Sequence, residues 1–416
     1  MSIPFPTWSV LPFVALVLGI AGLPMTVPKL WGKLSFQGLV SASCAAPVIA
    51  LLLQSRHLEP LLSAIGSYVS FIATIGALYV VTSGIFVSGD IEATPRTNLL
   101  FMVGGAVLAS VIGTTGASVL LLRPLLRTNR QRVHRAHLVP FFILVVANAG
   151  GLLTPLGDPP LLLGYLEGVP FLWTLRLFPY WLLYVGTIAV LLFVFERRAY
   201  ALEPEQARAR DRAEVVPLGI HGKGNAVLLV GIVVAVLLPT PWRELTMFGI
   251  TAASYKLTSP EIHENNGFSL MPIVEVAVVF AGLFVCLAPI EQLLSERAPT
   301  LPLRHAWQLF WGSGLLSSVL DNAPTYAAFG ALARGLSHGR ADLVAGIAPV
   351  HLAAVSVGSV VMGATTYIGN GPNLVVKSLA ERAGYATPGF LRYALFAISI
   401  LFPVHLVTTA ALMWLE

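Results

Sequence analysis

The sequence predicts an all-α membrane protein that crosses the bilayer many times and consists of two copies of one unit. The chain has 416 residues, of which 56% are hydrophobic and 11% charged, and its mean hydropathy is +0.80. A soluble domain carries about a quarter charged residues. Apolar stretches of about 20 residues, the length that crosses a bilayer, recur along the chain. Two of them are interrupted by similar polar motifs, which indicates an internal repeat.

The predicted elements follow the same order in both copies. The first copy, residues 1–195, has apolar stretches at 8–26, 36–54 and 62–89, an interrupted stretch at 99–126, a broken one at 138–166 and a last one at 170–195. The second copy, residues 224–416, has them at 224–240, 244–257, 270–290, 306–333 (interrupted), 343–378 (broken) and 389–415. Residues 196–223 are rich in charged side chains and are predicted to form a solvated linker.

The broken stretch of the first copy is the most informative part of the sequence. Residues 145–164 are apolar at both ends, but glycines and prolines interrupt them at Gly150, Gly151, Pro155, Gly157, Pro159 and Pro160. Proline removes a backbone donor and crowds the preceding turn, so a continuous helix is excluded. Unwound backbone at membrane depth is tolerated only where protein buries it or it lines a cavity. Such breaks hold the binding sites of many secondary transporters, and we therefore expect a transporter.

The same motif returns in the second copy. The segment from Thr154 to Pro160, Thr-Pro-Leu-Gly-Asp-Pro-Pro, aligns with Thr-Tyr-Ile-Gly-Asn-Gly-Pro from Thr366 to Pro372. The glycine and arginine that follow it, Gly168 and Arg176, also recur, as Gly384 and Arg392.

The interrupted stretches 99–126 and 306–333 are each long enough for two half-helices that meet at a polar tip; the alternative is that each crosses once. The hairpin interpretation places the arginine-rich residues 123–135 on the face of the linker, opposite Arg56 and Arg176. The positive-inside rule then puts the linker in the cytoplasm and the N-terminus in the periplasm. Each copy has five spans, one re-entrant hairpin and one broken helix, and this odd number of spans predicts inverted-topology repeats.

Two carboxylates lie in these breaks. Asp321 stands in an otherwise apolar hairpin, and an ionisable residue at such a depth is by default a functional candidate. A buried carboxylate can hold either a proton or a cation. The alternative is that Asp321 caps a half-helix. Asp158, which precedes Pro159, is equally suited to be an N-cap.

Hydroxyl and amide side chains cluster around the same breaks. Hard cations prefer oxygen ligands, although a single Ser or Thr more often bonds its own helix. We expect Asp321, Asn148 and Thr114 to hold Na⁺ as the transported ion, and we expect no catalytic residue or organic cofactor. The other candidates are Asn322, Thr325, Asp158, Thr154, Thr115, Ser118, Thr365, Thr366, Asn370 and Asn373. No GxxxxGK[ST] motif occurs, which disfavours an ATP-driven pump.

Two segments carry a family resemblance. Asn-Ala-Gly-Gly-Leu-Leu-Thr-Pro-Leu-Gly-Asp (148–158) and Ser-Val-Leu-Asp-Asn-Ala-Pro (318–324) resemble motifs of NhaD-type sodium/proton antiporters. These belong to the ion-transporter superfamily, which also contains citrate and dicarboxylate carriers. The resemblance implies an inner-membrane homodimer with a static scaffold and a moving transport domain. It also implies exchange of Na⁺ or Li⁺ for protons, with the ion and the lipid bilayer as partners. The net charge of +5 does not indicate nucleic-acid binding, because most basic residues fall between apolar stretches, where they orient the chain.

Two other functions stay open. One is a cation-coupled citrate or dicarboxylate transporter, in which helix N-termini at the hairpin tips bind carboxylates. The Ser-Asn-Thr tip that binds carboxylates in the dicarboxylate branch of the superfamily is absent from both hairpins, and this favours antiport. The other is a membrane scaffold without flux, which the repeated polar breaks argue against. An enzyme is not expected.

Overall fold

The computed structural model describes residues 5–55 and 58–416, so Arg56 lies outside the described residues. The first half contains the helices α1 (Leu11–Thr26), α2 (Pro28–Trp31), α3 (Leu34–Gln54), α4 (Glu59–Ser83), α5 (Pro95–Ile112), α6 (Thr114–Thr128), α7 (Leu138–Val145), α8 (Pro159–Leu166) and α9 (Phe178–Ala201). Short 3₁₀ turns lie at Ala149–Leu153 and Phe171–Leu177.

The linker contains α10 (Glu205–Ala213). The second half contains α11 (Lys223–Ala235), α12 (Trp242–Leu257), α13 (Pro260–Asn265), α14 (Met271–Arg297), α15 (Ala306–Ser317), α16 (Asn322–Leu336), α17 (Pro349–Met362), α18 (Gly371–Arg382) and α19 (Phe390–Leu415), with a 3₁₀ turn at Gly363–Thr365.

Seven helical segments among the described residues are long and apolar enough to cross a membrane. They are Thr7–Thr26, Leu34–Gln54, Glu59–Ser83, Pro95–Ile112, Phe171–Ala201, Met271–Thr300 and Phe390–Leu415. Helices of this length and composition confirm the prediction of a multi-pass membrane protein. The inverted arrangement of the two halves stays a prediction.

The predicted helix at 62–89 is wrong beyond Ser83. Gly84 ends α4, and its carbonyl accepts a hydrogen bond of 2.8 Å from Asn225 Nδ2 at the start of α11. A Cβ on Gly84 would lie 2.4 Å from this nitrogen, so only glycine permits the close approach. The chain then turns away as a strand.

This strand belongs to a short ribbon in a fold that is otherwise mostly helical, as the all-α prediction expects. β1 (Phe86–Asp90) pairs antiparallel with β2 (Val216–His221) in the linker, with an irregularity between Ser88 and Asp90. Arg127 at the end of α6 donates to the carbonyls of Val87 (2.7 Å) and Gly89 (2.6 Å). The ribbon therefore ties the linker to the α4–α5 connection and to the end of α6.

The linker is also less solvated than predicted. Glu196 and Glu203 are buried, because α9 extends to Ala201 and its end packs against the loop after α6. Buried Arg132 from that loop lies 2.7 Å from Glu196 and 3.3 Å from Glu203. His137 Nε2 lies 2.5 Å from Glu196 Oε1. Buried charges persist only when they are paired and hydrogen-bonded, and these charges satisfy that condition.

The membrane helices can be described as two groups that share one continuous apolar core. The scaffold group consists of α1, α3, α4, α11, α12 and α14; the hairpin group consists of α5–α9 and α15–α19. Each half contributes the same kinds of element to both groups. α5 packs against α6 and α15 against α16, and α5 and α6 meet at Gly113, whose φ of +82° favours glycine. The groups touch mainly where α16 lies on α14 and α6 on α4.

Candidate functional site

In each broken helix, the unwound backbone folds back so that two glycines lie in close contact. A Cβ on Gly157 would lie 2.1 Å from the carbonyl oxygen of Gly151, and one on Gly369 would lie 2.6 Å from that of Gly363. Only glycine therefore lets the unwound backbone fold back so tightly. This fold places Asp158 and Asn370 at the N-cap positions of α8 and α18, respectively.

Each hairpin tip is bonded to the broken helix of its own half. The amide of Thr114 donates to the carbonyl of Gly157 at 2.8 Å. The Thr154 hydroxyl donates to the carbonyl of Ser110, near the first tip. In the second half, the Thr366 hydroxyl donates to the carbonyl of Ser318 at 2.5 Å. These equivalent bonds hold hairpin and break as one unit in each half.

Asp158 is the centre of the cluster. It is 2% exposed, and its carboxylate accepts hydrogen bonds from Thr114 Oγ1 (2.8 Å), Asn322 Nδ2 (2.5 Å) and Asn370 Nδ2 (3.4 Å). The donors come from the first hairpin, the second hairpin and the second broken helix. The four interruptions of the two halves therefore converge on one carboxylate. A buried charge requires such partners, because desolvation is costly.

Three amides join the two broken helices beside this carboxylate. Asn148 Nδ2 donates to Asn373 Oδ1 (2.7 Å), and Asn370 Nδ2 donates to Asn148 Oδ1 (3.1 Å). Asn373 Nδ2 in turn donates to the carbonyls of Gly363 and Thr366, each at 2.9 Å. The amides fix the relative position of the two breaks, so that a ligand at Asp158 contacts elements from both halves.

Two buried oxygens at the cluster have no hydrogen-bond partner among the described residues. They are Asn322 Oδ1, on the side chain that donates to Asp158, and Ser118 Oγ, one helical turn beyond Thr114 on α6. An unsatisfied buried polar group costs about 1–3 kcal/mol. Oxygen atoms next to a carboxylate can coordinate a hard cation, and Asn322 Oδ1 belongs to a side chain that bonds Asp158.

Asp321 has a different position from Asp158. It is half-buried, and its Oδ1 accepts from the amide of Ala323 at 3.1 Å, which makes it the N-cap of α16. The Thr114 hydroxyl bonds to Asp158 and not to Asp321. Asp321 nevertheless adjoins the cluster through its neighbour Asn322. The ion-binding roles predicted for Asp321, Asn148 and Thr114 stay predictions.

The remaining candidates lie at the edge of the cluster. Thr325 bonds the carbonyl of Asp321 at 3.0 Å, as a helical threonine commonly does. Thr115 and Thr365 are half-buried, and within the described chain neither side chain bonds the cluster. Ser110 and Trp181, which are not among the residues predicted from the sequence, both donate to the carbonyl of Gly150, at 2.5 and 3.3 Å. The position of Ser110 just before Gly113 could have identified it; Trp181 carried no signal.

Comparison with known families supports a transport function. A family model with the description "Putative citrate transport" matches residues 2–414 and thus both halves of the chain. The family is of the ion-transporter type, so the resemblance is confirmed at this level, whereas the narrower likeness to NhaD-type antiporters stays a prediction. No curated protein matches the chain.

Proposed function

Because the chain belongs to the family described as "Putative citrate transport", we propose that it is a secondary active transporter that moves a citrate-like carboxylate together with a cation. The observation that carries the proposal is the convergence of all four interruptions on Asp158, through Thr114, Asn322 and Asn370. Discontinuous helices that meet in this way form the binding sites of transporters built from repeats. This proposal ranks carboxylate transport above sodium/proton antiport.

The cluster combines features that suit an anion with features that suit a cation. Four helices begin at it: α6 at Thr114, α8 at Pro159, α16 at Asn322 and α18 at Gly371. Helix N-termini carry partial positive charge and unpaired amides, which attract carboxylate groups. The negative charge of Asp158 would repel the same groups. A cation bound to Asp158 would remove this repulsion, which supports coupled movement of the two.

A second function is favoured by a specific observation. The hydrogen-bond partners of Asp158 are a hydroxyl and two amides, and no Lys or Arg side chain bonds it within the described residues. Asp321 adds a second carboxylate next to Asn322. A carboxylate without a fixed counter-charge can exchange a proton for Na⁺, so sodium/proton antiport is the competing proposal.

The cytoplasmic position of the linker is part of the proposal. Arg130, beyond the end of α6, lies 2.6 Å from Glu214 of the linker, so the arginine-rich loop and the linker lie on one face. The hairpin interpretation requires this arrangement, and the positive-inside rule assigns such a face to the cytoplasm. The location in the inner membrane and the homodimer, which the family resemblance implies, are also proposals.

A flux assay in proteoliposomes separates the two functions. The purified full-length protein is reconstituted, and uptake of radiolabelled citrate and succinate is measured under imposed Na⁺, Mg²⁺ or proton gradients, with protein-free liposomes as control. Citrate-like transport predicts uptake that requires a cation gradient. Sodium-driven proton movement without carboxylate uptake would replace the proposal by antiport. The absence of both fluxes would refute both functions.

A further inference from the structure

A cavity of about 220 Å³ lies between the scaffold group and the hairpin group, where α4 and α14 face α8. Its walls come from α4 and α14 on one side and α8 on the other. Its polar lining includes Ser63 and Ser67 of α4, Glu167 after α8, and Glu291 of α14. Because both groups contribute to its walls, any movement of one group against the other changes the shape of this cavity.

The cavity opens on the face opposite the linker. α4 ends at Ser83 beside the β ribbon, and its first residue, Glu59, lies about 36 Å away along the helix axis at 1.5 Å per residue. Ser63 and Ser67 are therefore near the far face. α14 runs in the opposite direction, since the Tyr79 hydroxyl near the end of α4 bonds the carbonyl of Ser269, just before α14 begins. Glu291 near the end of α14 consequently reaches the same face as Ser63.

The inner end of the cavity points to the central carboxylate. The deepest α8 residue in its wall is Leu163. Asp158 precedes the first residue of the same helix, and five residues correspond to about 7.5 Å along the axis. Leu163, Phe284 and Leu287 supply the apolar part of the wall at this depth. The cavity thus approaches the cluster at Asp158, but about one and a half turns of α8 lie between its inner end and the carboxylate.

The described part of the lining contains two carboxylates, of which one has an ion-pair partner. Glu167 and Glu291 line the cavity, and no Lys or Arg is among the described lining residues. Glu167 is paired with Arg334 of α16 at 2.9 Å. Glu291 is half-buried, and among the described residues no hydrogen bond to its carboxylate is found. Clefts with low-dielectric walls and charges of one sign concentrate counter-ions by about 10- to 1,000-fold.

We propose that this cavity is the vestibule through which the coupling cation reaches Asp158, and that Glu291, assisted by Glu167, selects cations there. The proposal rests on the proposed transport function and adds a second, outer cation-binding position to it. Ser63 and Ser67 lie one turn apart on α4 and supply hydroxyl oxygens beside the carboxylates. The ligand is a small inorganic cation, and a free carboxylate substrate is disfavoured at this position.

The test compares how fast a cysteine placed in the cavity reacts with a cationic and with an anionic thiol reagent. Ser67→Cys in the full-length protein is treated with a cationic and an anionic methanethiosulfonate of similar size. Wild-type protein gives the background from the native thiols, of which Cys286 is buried and Cys44 half-buried. We expect the cationic reagent to react about tenfold faster than the anionic one. We also expect Na⁺ to slow the cationic reaction.

The carboxylates are then removed one at a time in the Ser67→Cys background. Glu291→Gln breaks no ion pair and should fold; it is expected to reduce the rate ratio to about threefold or less. Glu59→Gln is the matched control, an exposed carboxylate on the same face outside the lining, and should leave the ratio unchanged. Equal rates for both reagents in the parent protein, or an unchanged ratio in Glu291→Gln, would overturn the vestibule. The rates need no flux, so they are independent of the transport assay.

Discussion

Replacing Asp158 by asparagine tests the central carboxylate directly. The substitution keeps the size of the side chain but exchanges one carboxylate oxygen for an amide group. Thr114, Asn322 and Asn370 all donate to this carboxylate. In Asp158→Asn, these three donors face a single acceptor oxygen. We expect the variant to fold and to lose cation-dependent transport.

The expected magnitude follows from these contacts. A hydrogen bond to a charged group contributes about 1.5–3 kcal/mol, so the loss of the bond from Asn322 should destabilise the fold by about 2 kcal/mol. A cation about 4 Å from the carboxylate gains about 4 kcal/mol at an effective dielectric constant of about 20. Since about 1.4 kcal/mol corresponds to a factor of ten, the affinity for the cation should fall by about a thousandfold.

The measurement is the cation concentration that gives half-maximal flux in proteoliposomes, together with the melting temperature of the purified protein. Asp342→Asn is the control, because this substitution makes the same chemical change at an exposed residue outside the site. A variant Asp158→Asn that transports with a half-maximal cation concentration within threefold of wild type would refute the central role of this carboxylate.

Four further predictions follow from other contacts. Asp321→Asn preserves the N-cap of α16, since Asn caps as well as Asp, and should impair flux less than Asp158→Asn; a greater loss would make Asp321 the exchanging group. Gly157→Ala, whose Cβ would lie 2.1 Å from the Gly151 carbonyl, should prevent folding, whereas Gly371→Ala, with open space around it, should not, as judged by size-exclusion chromatography. Arg132→Met removes the arginine that pairs with buried Glu196 and Glu203 and should cost about 3–5 kcal/mol in a denaturation experiment. Arg198→Met, on the exposed side of α9, should cost much less. A hydrogen bond from Gln131 and the charge of Arg130 lower the pKa of Glu214 below its ordinary value. Glu214 therefore stabilises the fold at a pH above the ordinary pKa of a glutamate, and this stabilisation is lost as the pH falls through the lowered pKa. Amide exchange in β2 should show this acid dependence in the wild-type protein, and Glu214→Gln should remove it.

The breaks in the helices could be predicted from the sequence because their cause is local. Gly157 and Pro159 interrupt an apolar stretch, and Gly369 and Pro372 do so at the equivalent place in the second half. Local chemistry also predicted the N-cap positions of Asp158 and Asp321. The sequence could not show which of the two carboxylates becomes the centre. That depends on Asn322 reaching Asp158 across 164 residues of chain, and no local pattern encodes such a contact.

The ribbon and the buried ion pairs were missed for a related reason. Phe86–Asp90 continues an apolar stretch, and only its pairing with residues 216–221 identifies it as a strand. Glu196 and Glu203 belong to a charged segment, and charged segments are usually solvated. They are buried here because Arg132, from a loop more than sixty residues earlier, neutralises them. Long-range partners thus decided both the secondary structure and the burial.

The match to the family described as "Putative citrate transport" puts carboxylate transport ahead of antiport among the two proposed functions. The absence of a Ser-Asn-Thr tip, which favours antiport when the sequence is taken alone, does not exclude carboxylate transport. Carboxylates are attracted by helix N-termini whatever side chains stand at the tip, and four such termini begin at the cluster.

The equivalent positions Asp158 and Asn370 explain how one site could serve both an anion and a cation. Both residues are N-caps of the resumed helices, α8 and α18. If both were carboxylates, two negative charges would stand about 3.4 Å apart and would oppose any anionic substrate. With asparagine at position 370, a cation bound to Asp158 would remove the negative charge of this pair, and the partial positive charge of the helix N-termini would then attract a carboxylate. Under the proposed function, the chemical asymmetry between the repeated motifs is what permits coupling at this cluster.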